Sequence, residues 1–364
     1  MMLALAFALQ AAAMPAPAAA PAPAAAAATQ WPVQEGDYII RDFHFRSGET
    51  MAEVRLHYRT LGQPHRNAQG QIDNAVVVLH ATSSSGKQFL QPRFAGELFG
   101  PGQPLDIRKY WVILQDDIGH GQSSKPSDGL GMKFPHYDYA DMVELQHRLL
   151  TDGLGLAHAR LLMGTSMGCM HTFLWGETYP GFAKALMPLA CEPIEVAGLN
   201  RMWRQMIIDG IEHDPAWDGG HYTSEPQEGL RLAQSIFFIA GSAPINYQAN
   251  YPTHDAAAAF VRQRVDAAIP GTDANDMIYQ FDASRDYNPW AGVSAITAPM
   301  MWVNSADDFI NARNLPYPQE VTAKMPNIRF RLIPETAETQ GHGNHSWAKF
   351  WKADLADLMR RSEG

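Results

Sequence analysis

Ser166 lies in the segment LLMGTSMGCMHT, residues 161–172, flanked by Gly164 and Gly168. A G-x-S-x-G pattern also arises by chance, so its meaning depends on what surrounds it. A serine hydroxyl is a weak nucleophile. It needs a base to take its proton and an acid to orient that base. The segment MWVNSADDFIN, residues 301–311, offers Asp307 and Asp308 just past an apolar run. The spacing to the following turn points to Asp307 as the acid, with Asp308 as the alternative. Capping of a following helix is the plain reading for one of the two. ETQGHGNHSW, residues 338–347, offers His342 and His345. His342 follows a glycine and comes first, so it is the expected base, with His345 as the alternative. A His-x-x-His pair also suits a metal, but no third ligand is evident, and no metal or cofactor is expected. The chain order Ser166, Asp307, His342 is that of α/β-hydrolases and differs from the chymotrypsin and subtilisin orders.

Acyl transfer through such a serine also needs two backbone donors for the oxyanion of the tetrahedral intermediate. The amide of Met167, directly after the serine, is one expected donor. The amide of Thr82, in the loop HATSSSG at 80–86, is the other. The loop DDIGHGQSSKPSDG at 116–129 lies at a neighbouring strand end and is assigned no chemistry.

These groups need elements to hold them. Residues 53–62 alternate and read as an edge strand. NAVVVLHAT at 74–82 and YWVILQDD at 110–117 are continuous apolar runs, as in strands covered on both faces. Further strands are expected at 159–164, 184–191, 298–305 and 328–335. Helices are expected at 138–155, after Ser166, and at 346–361. Strands alternating with helices imply a mostly parallel sheet flanked by helices. Ser166 then sits on a strand-to-helix turn at the carboxyl edge of that sheet, where open α/β folds bind ligands.

The whole chain sets further bounds. It has 364 residues and a formal net charge of −10, which argues against a nucleic-acid partner. Cys169 and Cys191 are its only cysteines, which excludes a disulfide-rich scaffold. Both lie beside apolar residues and read as buried free thiols. Residues 1–30 carry an apolar run and an Ala/Pro tract with many A-x-A sites. They read as a signal-like segment and linker, with packed structure expected only from about Trp31. The run is shorter than the roughly 20 residues that span a bilayer, so no stable membrane insertion is expected. Secreted or periplasmic placement is expected, with the cytoplasm as the alternative.

Beyond these patterns, GTSMGCMHTFLWGETYP at 164–180 resembles the nucleophile segment of the homoserine O-acetyltransferase family. LHYRTLG, DNAVVVLHAT, DIRKYWVI, DPAWDGGHY, EGLRLAQSI and QFDASRDY are similar to other segments of that family. The resemblance runs from about residue 35 to the C-terminus. It implies an α/β-hydrolase core, a helical lid at about 195–290 between the sixth and seventh strands, and an acyl-serine intermediate. Three places depart from the family pattern, one being LQDDIGHGQSSKPSDG at 114–129 where the family has C-x-N-x-x-G-x-x-x-G-S-x-G-P. Gly343 stands where an aspartate usually follows the histidine, and Gln234 where an arginine is usual. A zwitterionic acceptor needs charged partners when it leaves water. Hydrolysis of an ester or related small acyl substrate is therefore the leading expectation. An acetyl-CoA-dependent acetyltransferase acting on homoserine is the alternative, and a homodimer is left open. Met202, Trp203, Met206, Phe237 and Phe238 in the lid are expected mainly to pack lid helices on one another.

Overall fold

The computed structural model describes residues 31–311 and 315–363. The signal-like segment lies outside the described residues. Among the described residues eight strands form one sheet: β1 (Gln34–His44), β2 (Thr50–Leu61), β3 (Ala75–Leu79), β4 (Trp111–Gln115), β5 (Leu161–Thr165), β6 (Leu186–Leu189), β7 (Met300–Ser305) and β8 (Ile328–Ile333). Their order is β1-β2-β4-β3-β5-β6-β7-β8. β1 and β2 pair antiparallel, as do β2 and β4, and every other pairing is parallel.

The apolar runs explain this centre. Every residue of β3 to β7 is buried, as strands covered on both faces require. Alternation assigns Val77 and Leu79 to one core and Val76 and Val78 to the other. The first core takes in α2 (Tyr139–Arg148) and α3 (Met167–Thr178). The second takes in α1 (Ala95–Leu98) and α10 (Lys352–Arg361), with α9 (Tyr317–Lys324) preceding β8. Asp138 and Asp141 form a reciprocal capping box that starts α2.

Between β6 and β7 stand five helices: α4 (Gly198–Glu212), α5 (Gln227–Ala240), α6 (Pro244–Asn250), α7 (His254–Ala268) and α8 (Ala274–Asp282). They have a core of their own around Trp203, Ile207, Leu230 and Phe281. Trp203 stacks on Phe237, and Phe238 stacks on Tyr247, so these aromatics do pack lid helices together. Met202 and Met206 do not, being more than half exposed.

Three expectations need correction. The strand read as the sheet edge is second from the edge. β1, whose mostly exposed residues gave no buried run, covers it. The helix of 138–155 ends its α-helical part at Arg148 and closes as a π-turn at Leu149–Gly153, and the last helix begins only at Lys352. Finally, Cys169 and Cys191 are not free thiols but form a disulfide, with Cα atoms 5.8 Å apart. Their sequence gave no sign of it, because one lies on α3 and the other just past β6, and only the fold brings them together.

The disulfide closes a loop of 22 residues between the helix that follows Ser166 and the end of β6. On chain entropy such a closure stabilises by about 3 kcal/mol. Replacing both cysteines by alanine should lower the urea-unfolding free energy by about that amount. An unchanged midpoint would contradict a stabilising link.

Candidate active site

The serine is held by backbone geometry. Ser166 has φ 53° and ψ −108°, an unusual conformation for a residue with a side chain. Its N–H donates to Leu189 O at 2.8 Å, which ties the turn to β6. The turn is sharp because α3 doubles back against β5 and β3. A Cβ on Gly164 would stand 2.0 Å from Gly168 O, and one on Gly168 would stand 2.3 Å from Leu79 O. Only glycine fits either position, which is the physical content of the G-x-S-x-G spacing.

The imidazole of His342 faces this serine. Its Nε2 lies 2.8 Å from Ser166 Oγ, and its Nδ1 lies 2.8 Å from Asp308 Oδ2. Nδ1–H therefore donates to the carboxylate, leaving Nε2 to accept the serine proton. Asp308 is well held. Its Oδ1 accepts from the amides of Ile310 and Asn311, and its Oδ2 also accepts from Asn311 Nδ2 at 2.9 Å. Burial pushes the Asp308 carboxyl up, but His342 and the hydrogen bonds from His342 and Asn311 outweigh that and hold it below the usual carboxylate range.

The sequence-based choice of Asp307 is therefore corrected. Side chains of adjacent residues in this turn project to different sides. Asp307 Oδ2 accepts from the amide of Gly341 at 3.0 Å, and its Oδ1 accepts from Asn344 Nδ2 at 3.3 Å. It braces the histidine loop and makes no hydrogen bond to the imidazole. Gly341 in that loop has φ 57°, and a Cβ there would stand 2.2 Å from Ser242 O of the lid. His345, the alternative base, is hydrogen-bonded to Ser346. Burial and the neighbouring His342 charge hold its pKa down to about 3.

The two expected oxyanion donors lie where β3 and α3 meet. Met167 is the first residue of α3, so its amide has no carbonyl one turn back. The Thr82 amide donates to no protein group among the described residues. The loop carrying Thr82 is tied to α3 by Gly168 N–H donating to His80 O at 3.0 Å.

Sequence reasoning missed Glu192. This buried residue follows Cys191. Its Oε1 accepts from Asn304 Nδ2 at 2.9 Å, and its Oε2 has no partner among the described residues. Burial, with a contribution from the Asp308 charge, raises its pKa to about 8. Near neutral pH it is uncharged, leaving Asp308 as the ionised acid behind His342. Glu192 lines an apolar cavity of about 500 Å³ with Met170, Val196, Leu199 and Phe309. A second cavity of about 450 Å³ lies between the Ser83–Ser85 loop and the lid, where Gln234 and Asp276 line it. Among the described residues no cluster suits a metal ion, and no helix is long and apolar enough to cross a membrane.

Two outcomes follow. Asp308→Asn should slow fluorophosphonate labelling of Ser166 by roughly 10⁴-fold through the wrong imidazole tautomer, and Asp307→Asn far less. Equal losses, measured by labelling kinetics, would contradict the geometry. For Glu192, the folded protein keeps a proton up to pH about 8 that the unfolded chain loses near 4.5, so stability falls as pH rises through that window. Glu192→Gln removes this dependence. Its stability relative to wild type should rise by up to about 1.4 kcal/mol per pH unit between these limits in urea titrations. A constant difference would contradict a protonated Glu192.

Residues 74–338 match the α/β hydrolase fold family. The homoserine O-acetyltransferase of Moorella thermoacetica is 34% identical over 217 residues, covering 54% of this chain and 55% of that protein. The chain spans only 55–63% of the length of the curated relatives it matches first. Among solved structures, homoserine O-acetyltransferase from Bacillus anthracis has a TM-score of 0.78 at 20% identity, covering 91% of this chain and 98% of that one. An acetylester hydrolase from Corynebacterium glutamicum has a TM-score of 0.77 at 19% identity, covering 90% and 96%. At these identities the two structures share the fold. The family match spans most of the chain and includes Ser166 and Asp308, with His342 just past its end, and the chain belongs to the α/β hydrolase fold family.

Proposed function

We propose that the chain is a serine-dependent acyl-transfer enzyme that hydrolyses an ester or related small acyl compound. The observation that carries this reading is His342, with Ser166 Oγ on one ring nitrogen and Asp308 on the other, each at 2.8 Å. In this mechanism Ser166 Oγ attacks the acyl carbonyl carbon while His342 Nε2 takes its proton. The amides of Met167 and Thr82 receive the developing oxyanion. Asp308 stabilises the imidazolium, which returns the proton to the departing alkoxide. Water then attacks the acyl-serine, His342 takes a proton from it, and collapse of the second intermediate releases the acid and restores Ser166.

Two features favour water over an amino-acid acceptor. Gln234 is a neutral amide on the wall of the lid cavity. The cation on that wall, Lys125, is paired with Asp128 at 2.7 Å, while Asp273 and Asp276 add acid. An acceptor carboxylate would meet no unpaired cation there, which is costly once water is excluded. The apolar cavity beside Met170 and Phe309 suits the acyl group. The second reading, acetyl transfer to homoserine, is favoured by the activity of the Moorella relative.

Export is part of the proposal. The signal-like first thirty residues and the Cys169–Cys191 disulfide support it independently, since disulfides persist in oxidising compartments. A second copy of the chain is proposed to cover Leu199, Met202 and Met206 of α4 and Leu232 and Ile239 of α5, large apolar side chains each half or more exposed.

Ser166→Ala should abolish fluorophosphonate labelling and lower turnover of p-nitrophenyl acetate by roughly 10⁶-fold. Undiminished labelling of that variant would overturn the nucleophile. Wild type should turn over the ester without an acceptor, and millimolar homoserine should leave acyl-enzyme decay unchanged. A saturable acceleration with O-acetylhomoserine as product would decide for transfer.

A further inference from the structure

Beneath the loop that carries Thr82 lies a polar cluster cut off from water. Asp117, His80, His120 and His171 are all at most 2% exposed. They come from different elements: His80 just past β3, Asp117 and His120 past β4, and His171 on α3. Gln146 of α2 completes the cluster. The proposed reaction uses none of these side chains.

The hydrogen bonds fix where the protons are. Trp175 Nε1–H can only donate, and it donates to Gln146 Oε1 at 2.7 Å. That sets the amide orientation, so Gln146 Nε2 is the donor to Asp117 Oδ1 at 2.7 Å and to His171 Nδ1 at 2.9 Å. His171 Nδ1 is therefore a lone pair, with the ring proton on Nε2. On the other side, the Asp117 N–H donates to His80 Nε2 at 3.0 Å, so that nitrogen is also a lone pair. The His80 proton is on Nδ1, which donates to Ala81 O at 2.8 Å.

Asp117 Oδ2 is thus left facing two acceptors. It lies 3.5 Å from His80 Nε2 and 3.6 Å from His171 Nδ1, and no donor among the described residues reaches it. An ionised carboxylate would place a third lone-pair group against two others in a site that burial shields from solvent. A carboxylic acid O–H at Oδ2 would instead face both. The other charged groups nearby do not change this. Asp116 is paired with Arg59 at 2.8 Å, and burial keeps His120 neutral with a pKa near 3. Burial also drives the Asp117 carboxyl upward and His171 well below its usual value.

We infer that Asp117 is held as an uncharged carboxylic acid with its proton on Oδ2, and that it is a positioning residue. Placed between His80 and His171, it keeps the Thr82 loop seated on the helix that follows Ser166. The two sides already meet through Gly168 N–H and His80 O at 3.0 Å. A neutral acid stiffens that seam without placing a buried negative charge beneath the site where the oxyanion forms. The positioning half rests on the proposed acyl-transfer reading, while the protonation half does not.

The test compares wild type with Asp117→Asn and Asp117→Leu. The infrared difference spectrum of wild type minus Asp117→Asn at pH 7 should show the carbonyl band of a protonated carboxylic acid. Loss of carboxylate bands instead would overturn the protonation. In Asp117→Asn, the amide oxygen still accepts from Gln146 and the NH₂ faces the two lone pairs. Fluorophosphonate labelling of Ser166 should stay within about threefold of wild type. Asp117→Leu fills the volume without bridging, and labelling should slow by about 100-fold through a displaced oxyanion loop. If Asn slows labelling as much as Leu, or Leu labels like wild type, the positioning role is wrong. If Leu does not fold, Asn and its spectrum still decide. Wild type that takes no label would sink the acyl-transfer reading and leave the infrared result standing.

Discussion

The structure depends on one close approach of backbone to backbone, where α3 leaves β5 and runs against the end of β3. Gly164 and Gly168 permit it, and Ser166 at φ 53° makes the turn. Such a conformation costs of order 1–3 kcal/mol and persists only where the surroundings over-determine it. Here they do. The Ser166 amide is bound to β6, Gly168 is bound to the loop past β3, and the disulfide ties the first turn of α3 to Cys191 just past β6. The same approach sets the serine at the sheet edge and brings the first amide of α3 beside the Thr82 loop.

From that turn the remaining groups follow in sequence. β7 ends at Ser305, and the turn after it presents Asp308 to the imidazole and Asp307 to the histidine loop. The two carboxylates share one task by different means, since one orients the ring and the other holds the backbone that carries it. Glu192 and Asp117 add two buried acids that geometry and burial keep neutral near pH 7. Neither adds a negative charge to that of Asp308, the carboxylate in contact with His342. An arrangement with several ionised acids close to the serine would oppose the negative charge that develops during acyl transfer.

Much of this was legible in the sequence. The buried strands announced themselves as continuous apolar runs, and the glycine spacing around Ser166 identified a turn that only glycine permits. His342 and Ser166 were found because chain order and strand context constrain them. Four things were not legible, each for a physical reason. Which of Asp307 and Asp308 meets the ring depends on the torsions of one turn, and the sequence shows only that both are there. Cys169 and Cys191 sit on different elements, and their pairing exists only once α3 lies against β6. Asp117 and Glu192 look like ordinary loop acids, and burial became visible only when the lid and helices were in place. β1 was missed because an exposed edge strand carries no apolar run.

The central claim is that Ser166, the imidazole of His342 and the two backbone amides converge on one reacting carbonyl. The most direct measurement is a crystal structure of the protein after reaction with a fluorophosphonate, in which the phosphonyl oxygen stands where the oxyanion would form. The account predicts phosphorus bonded to Ser166 Oγ, with that oxygen within hydrogen-bonding distance of the Met167 and Thr82 amides and His342 Nδ1 still on Asp308. Phosphorus on another residue, or an oxygen turned away from both amides, would contradict it.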